Sequence, residues 1–163
     1  MNNIINDEEM YNIFQPILKV DQEMNAQVNT YEMLIRDSSG AFPGMDFLHS
    51  LATEKGNEKW IAVSRQSLDE ALEGHHDHRI YINLEPCQLK FESVWHFLAE
   101  IRAKYPKQVA VEITERREKV HNLEYLDDEI DRLSKMGFKI AIDDVSAGSN
   151  SYEFVVRQLK AIK

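Results

Sequence analysis

The fold is most strongly constrained by the way short apolar runs alternate with amphipathic stretches in the second half of the chain. Apolar runs at residues 80–84, 108–113 and 138–142 predict buried strands. Helical patterns at residues 91–104 and about 123–136 separate these strands. Strands and helices that alternate at this spacing are typical of parallel βα units. The sequence therefore predicts an α/β protein.

The remaining elements extend this pattern in both directions. Residues 12–19 and 26–36 are extended runs joined by a polar turn, and residues 45–55 and 58–72 have helical patterns. A helical turn at residues 151–157 and a strand that begins at residues 159–163 follow the last βα unit. Because no repeat or linker is visible, one domain is predicted over residues 12–163, after an N-terminal extension over residues 1–11.

The charge balance argues against a nucleic-acid partner. The net charge is -9, with 28 acidic and 19 basic side chains, whereas binding to DNA or RNA requires a basic face. No apolar run approaches the roughly 20 residues needed to cross a bilayer. Cys87 is the only cysteine, so no intramolecular disulfide can form, and a cytoplasmic location is predicted.

Acid and amide side chains lie at or near the C-terminal side of four extended runs. They are Glu32, Asn83, Glu112 and the adjacent pair Asp143 and Asp144. Ligands of α/β sheets and barrels bind at the carboxyl ends of strands, so these groups are expected to meet at one mouth. Such hard oxygen ligands suit Mg²⁺ or Mn²⁺. A single acid of this kind is about as often a helix N-cap or a solvated loop residue as it is a ligand. The whole set of residues is therefore the signal of a site.

Several motifs occur in order around these residues. They read Phe14-Gln15-Pro16-Ile17, Tyr31-Glu32-Met33-Leu34-Ile35-Arg36, Asn83-Leu84-Glu85-Pro86 with Gln88-Leu89, Glu112-Ile113-Thr114-Glu115, and Asp143-Asp144-Val145-Ser146-Ala147-Gly148. The last residue, Lys163, lies where a Lys-Ile-Asp strand would begin. From residue 12 to residue 163, the chain resembles the EAL-domain family of cyclic-di-GMP phosphodiesterases.

The resemblance implies a TIM-like (β/α) barrel of the EAL type, whose first strand runs antiparallel to its neighbours. About six of the eight strands of a complete barrel would be present, and the C-terminal part of the domain would be lacking. Strand edges left uncovered in this way are expected to pair with another copy, as a homodimer or a swapped oligomer, or else to depend on residues past Lys163.

The resemblance also implies hydrolysis of cyclic-di-GMP to linear pGpG in bacterial second-messenger signalling. One Mg²⁺ or Mn²⁺ ion would be held by Glu32, Asn83, Glu112 and Asp143, and Asp143 and Asp144 would help to hold a second. Three further roles follow by resemblance. Lys163 would orient or deprotonate the attacking water, Glu115 would support the ligands, and Gln15 and Arg36 would contact the nucleotide.

Four positions depart from the family pattern. Met33 replaces Ala beside Glu32, and Glu85 replaces Ser, which adds negative charge near Asn83. Ser146 and Ser149 replace Gly and Tyr in the loop that couples metal binding to dimerisation in the family. An alternative therefore stays open, in which the chain is a catalytically inactive EAL-like module that binds cyclic-di-GMP or a protein partner.

Two other groups of residues have simpler interpretations. His75, His76 and His78 are interpreted as a solvated loop, because no partner residues at metal-ligand spacing are visible. Trp60 and Trp95 lie in helical patterns and are interpreted as packing residues rather than as platforms for nucleotide bases.

Overall fold

The computed structural model describes residues 9–114 and 123–142, with the backbone alone at residues 123–125. The described strands are β1 (Tyr11–Val20), β2 (Ala26–Arg36), β3 (Arg79–Leu84), β4 (Val109–Ile113) and β5 (Lys139–Ile142). The described helices are α1 (Gly44–Ser50), α2 (Glu54–Leu72), α3 (Glu92–Lys104) and α4 (Leu123–Lys135), with a short 3-10 helix at Pro86–Lys90. None of these helices is long and apolar enough to cross a membrane.

The five described strands form one sheet in sequence order, from β1 to β5. β1 pairs with β2 in antiparallel orientation, whereas β2, β3, β4 and β5 are parallel to one another. This confirms the predicted α/β class and the antiparallel first strand. The described strands do not close into a barrel, because β1 and β5 are the two edges of the sheet. The predicted helical turn at residues 151–157 and strand at 159–163 lie outside the described residues.

The core lies between the outer face of the sheet and the helices. Alternate side chains of the parallel strands, such as Met33, Ile82 and Val111, face α2, α3 and α4 and are almost completely buried. Trp60 packs edge-on against Phe97, with ring centroids 5.4 Å apart. Trp95 is buried as well, and its indole N–H donates to the carbonyl of Leu89 at 2.8 Å. Both tryptophans are therefore core residues, as predicted.

A small cluster of polar side chains holds α3 against α2 on the outer surface. Lys104 forms an ion pair with Asp69 at 2.8 Å, and the Tyr105 hydroxyl donates to the same carboxylate at 2.5 Å. These hydrogen bonds, first from Lys104 and then from Tyr105, hold the pKa of Asp69 below its ordinary value. Beside them, Arg65 donates twice to the Glu100 carboxylate, each time at 2.8 Å.

Both helices predicted over residues 45–55 and 58–72 are present, but the predicted boundary between them is wrong. α1 ends at Ser50 and α2 begins at Glu54, because Thr53 is extended and its hydroxyl caps α2 by accepting from the N–H of Gly56 at 3.1 Å. Gly56 also allows the two helices to approach closely. A Cβ at this position would lie 2.0 Å from the carbonyl oxygen of Ser50. The sequence pattern placed the break a few residues too late, because this contact depends on how the two helices pack and not on the periodicity of either helix.

Two parts of the first hairpin remain exposed. Within the described residues β1 pairs only with β2, and its Tyr11, Ile13 and Ile17 side chains are 43%, 38% and 41% exposed. At the far end of the hairpin, Leu18 and Met24 are 58% and 81% exposed. Pro16 interrupts the free edge, and a proline there removes one N–H that another strand could bind.

The close contact of α1 with α2 predicts the effect of a single methyl group. Alanine favours an open helical position over glycine by up to ~1 kcal/mol. At residue 56, we expect Gly56→Ala instead to lower the free energy of unfolding by ~2 kcal/mol, because the methyl group collides with backbone. Urea unfolding measures the change. Ser64→Ala, at another buried position of α2, is the matched control and should change the free energy of unfolding little. A Gly56→Ala protein that is as stable as the parent would contradict the packing described.

Candidate active site

Three of the predicted ligands lie on one face at the carboxyl ends of β2, β3 and β4. Glu32 is in register with Tyr81, which is two residues before Asn83, and Asn83 is in register with Glu112. Because successive side chains of a strand point to opposite faces, Glu32, Asn83 and Glu112 share the face that points away from the core. All three are partly buried.

Glu32 and Asn83 are in direct contact. The side-chain amide of Asn83 donates to Oε1 of Glu32 at 2.9 Å and to the carbonyl of Met33 at 3.4 Å. Since the nitrogen of the amide is used in this way, its oxygen is left as the group that can bind a cation. Neither that oxygen nor Oε2 of Glu32 makes another hydrogen bond within the described residues. The pair therefore offers two oxygen donors.

The residues that would complete the predicted ligand set lie outside the described part of the chain. Asp143 and Asp144 directly follow β5, where Ala141 is in register with Glu112. Glu115 and Lys163 are likewise outside it. Within the described residues, no three His, Cys, Asp or Glu side chains form a group that could hold a metal ion. The described donors, two carboxylates and an amide, have the hard oxygen chemistry that fits Mg²⁺ or Mn²⁺.

The two residues predicted to contact a nucleotide flank Glu32. Gln15 is directly opposite Glu32 in the antiparallel pair of β1 and β2, and it is exposed. Arg36 is the last residue of β2. It lies four residues after Glu32 and therefore on the same face of the sheet. Its guanidinium donates to the carbonyl of Ile35 at 2.8 Å and forms no ion pair within the described residues. The remaining N–H groups of Arg36 are thus available to an anion.

A pocket of about 230 Å³ lies beside Glu32, Asn83 and Arg36. Glu32, Arg36, Asn83 and Glu85 supply its polar walls, and Phe42 and Phe47 supply an aromatic wall. The two phenylalanine rings meet edge to face, with centroids 6.3 Å apart and planes at 86°. Sequence analysis missed this wall. Phe42 belongs to a segment read only as a loop, whose Gly-Ala-Phe-Pro-Gly composition predicts a turn and gives no direction for the ring.

The loop between Arg36 and Phe42 is held by Asp37. Its Oδ1 accepts from the backbone N–H of Ser39 at 2.9 Å, from the Ser39 hydroxyl at 2.6 Å and from the N–H of Ala41 at 3.2 Å. The hydrogen bond from the Ser39 hydroxyl is the main reason that the pKa of Asp37 lies below its ordinary value. Because the carboxylate of Asp37 is used within the loop, it does not pair with Arg36, which has no ion-pair partner in residues 9–114 or 126–142.

The histidine cluster lies at the opposite end of the strands. His78 directly precedes β3, where Arg79 is in register with Thr30 near the beginning of β2. The rings of His75 and His78 stack with centroids 4.5 Å apart, and His78 also contacts Tyr31. His75 and His76 are exposed. None of the three histidines lines the pocket beside Glu32 and Asn83.

The comparisons with known proteins agree with this arrangement. The family model described as EAL domain matches residues 1–160 of the chain. No curated protein matches the chain. The family match does not test the predicted boundary at residue 12, which stays a prediction.

Three solved structures share the fold. The EAL enzyme Bd1971, with cAMP and cyclic-di-GMP bound, has a TM-score of 0.71 at 18% identity, over 91% of this chain and 43% of that one. YkuI of Bacillus subtilis, solved with substrate c-di-GMP and calcium, has a TM-score of 0.70 at 26% identity, and the match covers 90% of this chain and 38% of YkuI. BlrP1 of Klebsiella pneumoniae, in a manganese and cyclic-di-GMP complex, has a TM-score of 0.67 at 22% identity, and the match covers 94% of this chain and 39% of BlrP1.

The chain spans about two-fifths of the length of these three proteins. Its open sheet, with an antiparallel first strand followed by parallel βα units, is the corresponding part of the TIM-like EAL barrel. Together with the family match over nearly the whole chain, this means that the chain belongs to the EAL domain family.

Proposed function

We propose that this chain carries the active site of a phosphodiesterase that hydrolyses cyclic-di-GMP to linear pGpG. The observation that supports the proposal best is the contact between Asn83 and Glu32, in register with Glu112 and beside the unpaired Arg36. Oxygen donors for a cation and a guanidinium for a phosphate line the same pocket. Cyclic-di-GMP is bound in structures of YkuI and BlrP1, which share this fold.

The ligands of the site would divide between two ions. Glu32, Asn83 and Glu112, with Asp143, would hold one Mg²⁺ or Mn²⁺, and Asp143 and Asp144 would help to hold a second. When bound, the ions lower the pKa of water and neutralise charge on a phosphodiester. Calcium and manganese occur in the related structures, which supports a divalent ion here.

The chain's own residues bind and orient the substrate. Arg36 suits a phosphate because its planar guanidinium donates two hydrogen bonds at once. Gln15, which lies across from Glu32 in β1, would contact the same nucleotide. Lys163 orients or deprotonates the attacking water, and Glu115 supports the ligands. The water oxygen joins phosphorus, the bond from phosphorus to the ribose O3′ breaks, and O3′ takes a proton, which leaves pGpG with a 5′-phosphate.

One observation favours a second candidate, a module that binds cyclic-di-GMP without cleaving it. Glu85 stands where the family has Ser, and it lines the pocket with Glu32 and Asn83. An additional carboxylate in this position changes the charge beside the metal ligands on which cleavage depends. We also place the protein in the cytoplasm, because Cys87 is its only cysteine.

The first test is turnover. We expect purified protein supplied with Mn²⁺ to convert cyclic-di-GMP to pGpG, and Glu32→Ala to lower the rate by at least ~100-fold, since the variant loses a metal ligand. Glu92→Ala, which removes a carboxylate that is 74% exposed on α3, should leave the rate unchanged. Chromatography of the nucleotides measures both. Binding of cyclic-di-GMP without cleavage, with metal present, would contradict catalysis and favour the module.

The second test is the affinity for metal in the absence of substrate. We expect Asn83→Leu to weaken Mn²⁺ binding at least ~10-fold, because the variant loses an oxygen ligand and the hydrogen bond that orients Glu32. Titration calorimetry on the metal-free protein measures the affinity, with Glu92→Gln as the control. Equal affinities in Asn83→Leu and the parent would remove Asn83 from the site.

The exposed face of β1 supports a further proposal, that the protein associates with itself through this strand. We expect sedimentation velocity to show a concentration-dependent dimer or larger oligomer. Ile13→Lys combined with Ile17→Lys should shift it toward monomer, because two charges would enter the apolar contact. Met45→Lys makes the same chemical change at a 55% exposed side chain on α1 and serves as the control. A parent protein that is monomeric at every concentration would refute this association.

A further inference from the structure

Two completely buried amide side chains connect the beginning of α2 to the segment that follows β3. Asn57 and Gln88 both have an exposed fraction of 0%. The side-chain nitrogen of Gln88 donates to Oδ1 of Asn57 at 2.9 Å. They are separated by 31 positions in the sequence, so this is a tertiary contact.

Both ends of this amide pair are fastened to backbone. The side-chain nitrogen of Asn57 donates to the carbonyls of Leu51 and Thr53, at 2.9 and 2.8 Å. At the other end, Oε1 of Gln88 accepts from the backbone N–H of Glu85 at 3.0 Å. A buried amide is costly unless it is hydrogen-bonded, so these bonds permit only a narrow range of positions for the two side chains.

The segment held in this way begins beside Asn83. Glu85 is two residues after Asn83, and the residue between them, Leu84, is held by Thr114, whose backbone N–H donates to the Leu84 carbonyl at 3.1 Å. Asn83 itself must place its amide within hydrogen-bonding distance of Glu32. Gln88 lines the same pocket as Glu32, Asn83 and Glu85.

We propose that Asn57 and Gln88 are positioning residues for the metal ligand Asn83. They fix the backbone that follows Asn83. The side-chain nitrogen of Asn83 can then keep its hydrogen bond to Glu32, and the side-chain oxygen would remain free to bind a cation. This inference rests on the proposed function, because it assumes that Asn83 is a ligand. It assigns a functional role to two core residues that have no contact with the reacting atoms.

The test separates positioning from a merely structural role. Gln88→Met keeps the length of the side chain and removes both of its side-chain hydrogen bonds. We expect Mn²⁺ affinity to fall by at least ~10-fold, as is usual when a group that orients a ligand is lost. We also expect the side-chain amide signal of Asn83 to move in ¹H–¹⁵N spectra of the metal-free protein. Ser64→Ala should change neither, because it removes from α2, the helix of Asn57, a fully buried hydroxyl that has no hydrogen-bond partner within the described residues.

The outcomes are distinguishable. If Gln88→Met lowers the urea midpoint but leaves both the Mn²⁺ affinity and the Asn83 signal as in the parent, the pair is only structural and the inference is overturned. If the parent protein binds no Mn²⁺, the proposed function fails, and the inference fails with it. If Gln88→Met does not fold, Asn57→Ser carries the same test, because this variant keeps the hydrogen bond between Gln88 and Glu85. An unchanged Mn²⁺ affinity in Asn57→Ser would then overturn the inference.

Discussion

The register of the parallel strands is the constraint on which the site depends. Asn83 is paired with Glu112, and Tyr81 with Glu32, so that three polar side chains lie on the face opposite the core. A slip by one residue would turn Asn83 toward the helices and Leu84 toward the pocket. The buried outer face prevents such a slip, because Ile82 and Leu84 have no exposed surface and would have to leave the core. Core packing and site geometry are therefore two consequences of one register.

The site also concentrates negative charge in a protein whose net charge is already -9. Glu32 and Glu85 both line the pocket, and Glu112 follows on the next strand. The Asn83 amide offsets part of this charge by donating to Glu32, and Arg36 contributes a cation at the other side. In the proposed function, a divalent ion would supply the larger compensation.

Strands and most helices were predictable from the sequence, whereas the supports of the site were not. Residues 26–36 and 80–84 coincide with β2 and β3 to within one residue, because strands with a buried face have a distinct apolar pattern. Glu32, Asn83 and Glu112 were identified as candidates because acid or amide groups recur near the carboxyl ends of several strands, where the ligands of α/β folds bind. The break between α1 and α2, the Asn57–Gln88 bridge and the wall formed by Phe42 and Phe47 all depend on tertiary contacts. Local patterns do not contain that information.

The most direct test of the central claim is to locate a bound divalent ion on the strands. A paramagnetic Mn²⁺ ion broadens the NMR signals of nuclei close to it. On addition of substoichiometric Mn²⁺, the account predicts selective broadening of the side-chain amide of Asn83 and the backbone amides around Glu32 and Glu112. Signals of His75, His76 and His78, which lie just before β3, should broaden less than these. Broadening that centres on the histidines, or that is uniform along the chain, would contradict the claim that these three residues form one metal site.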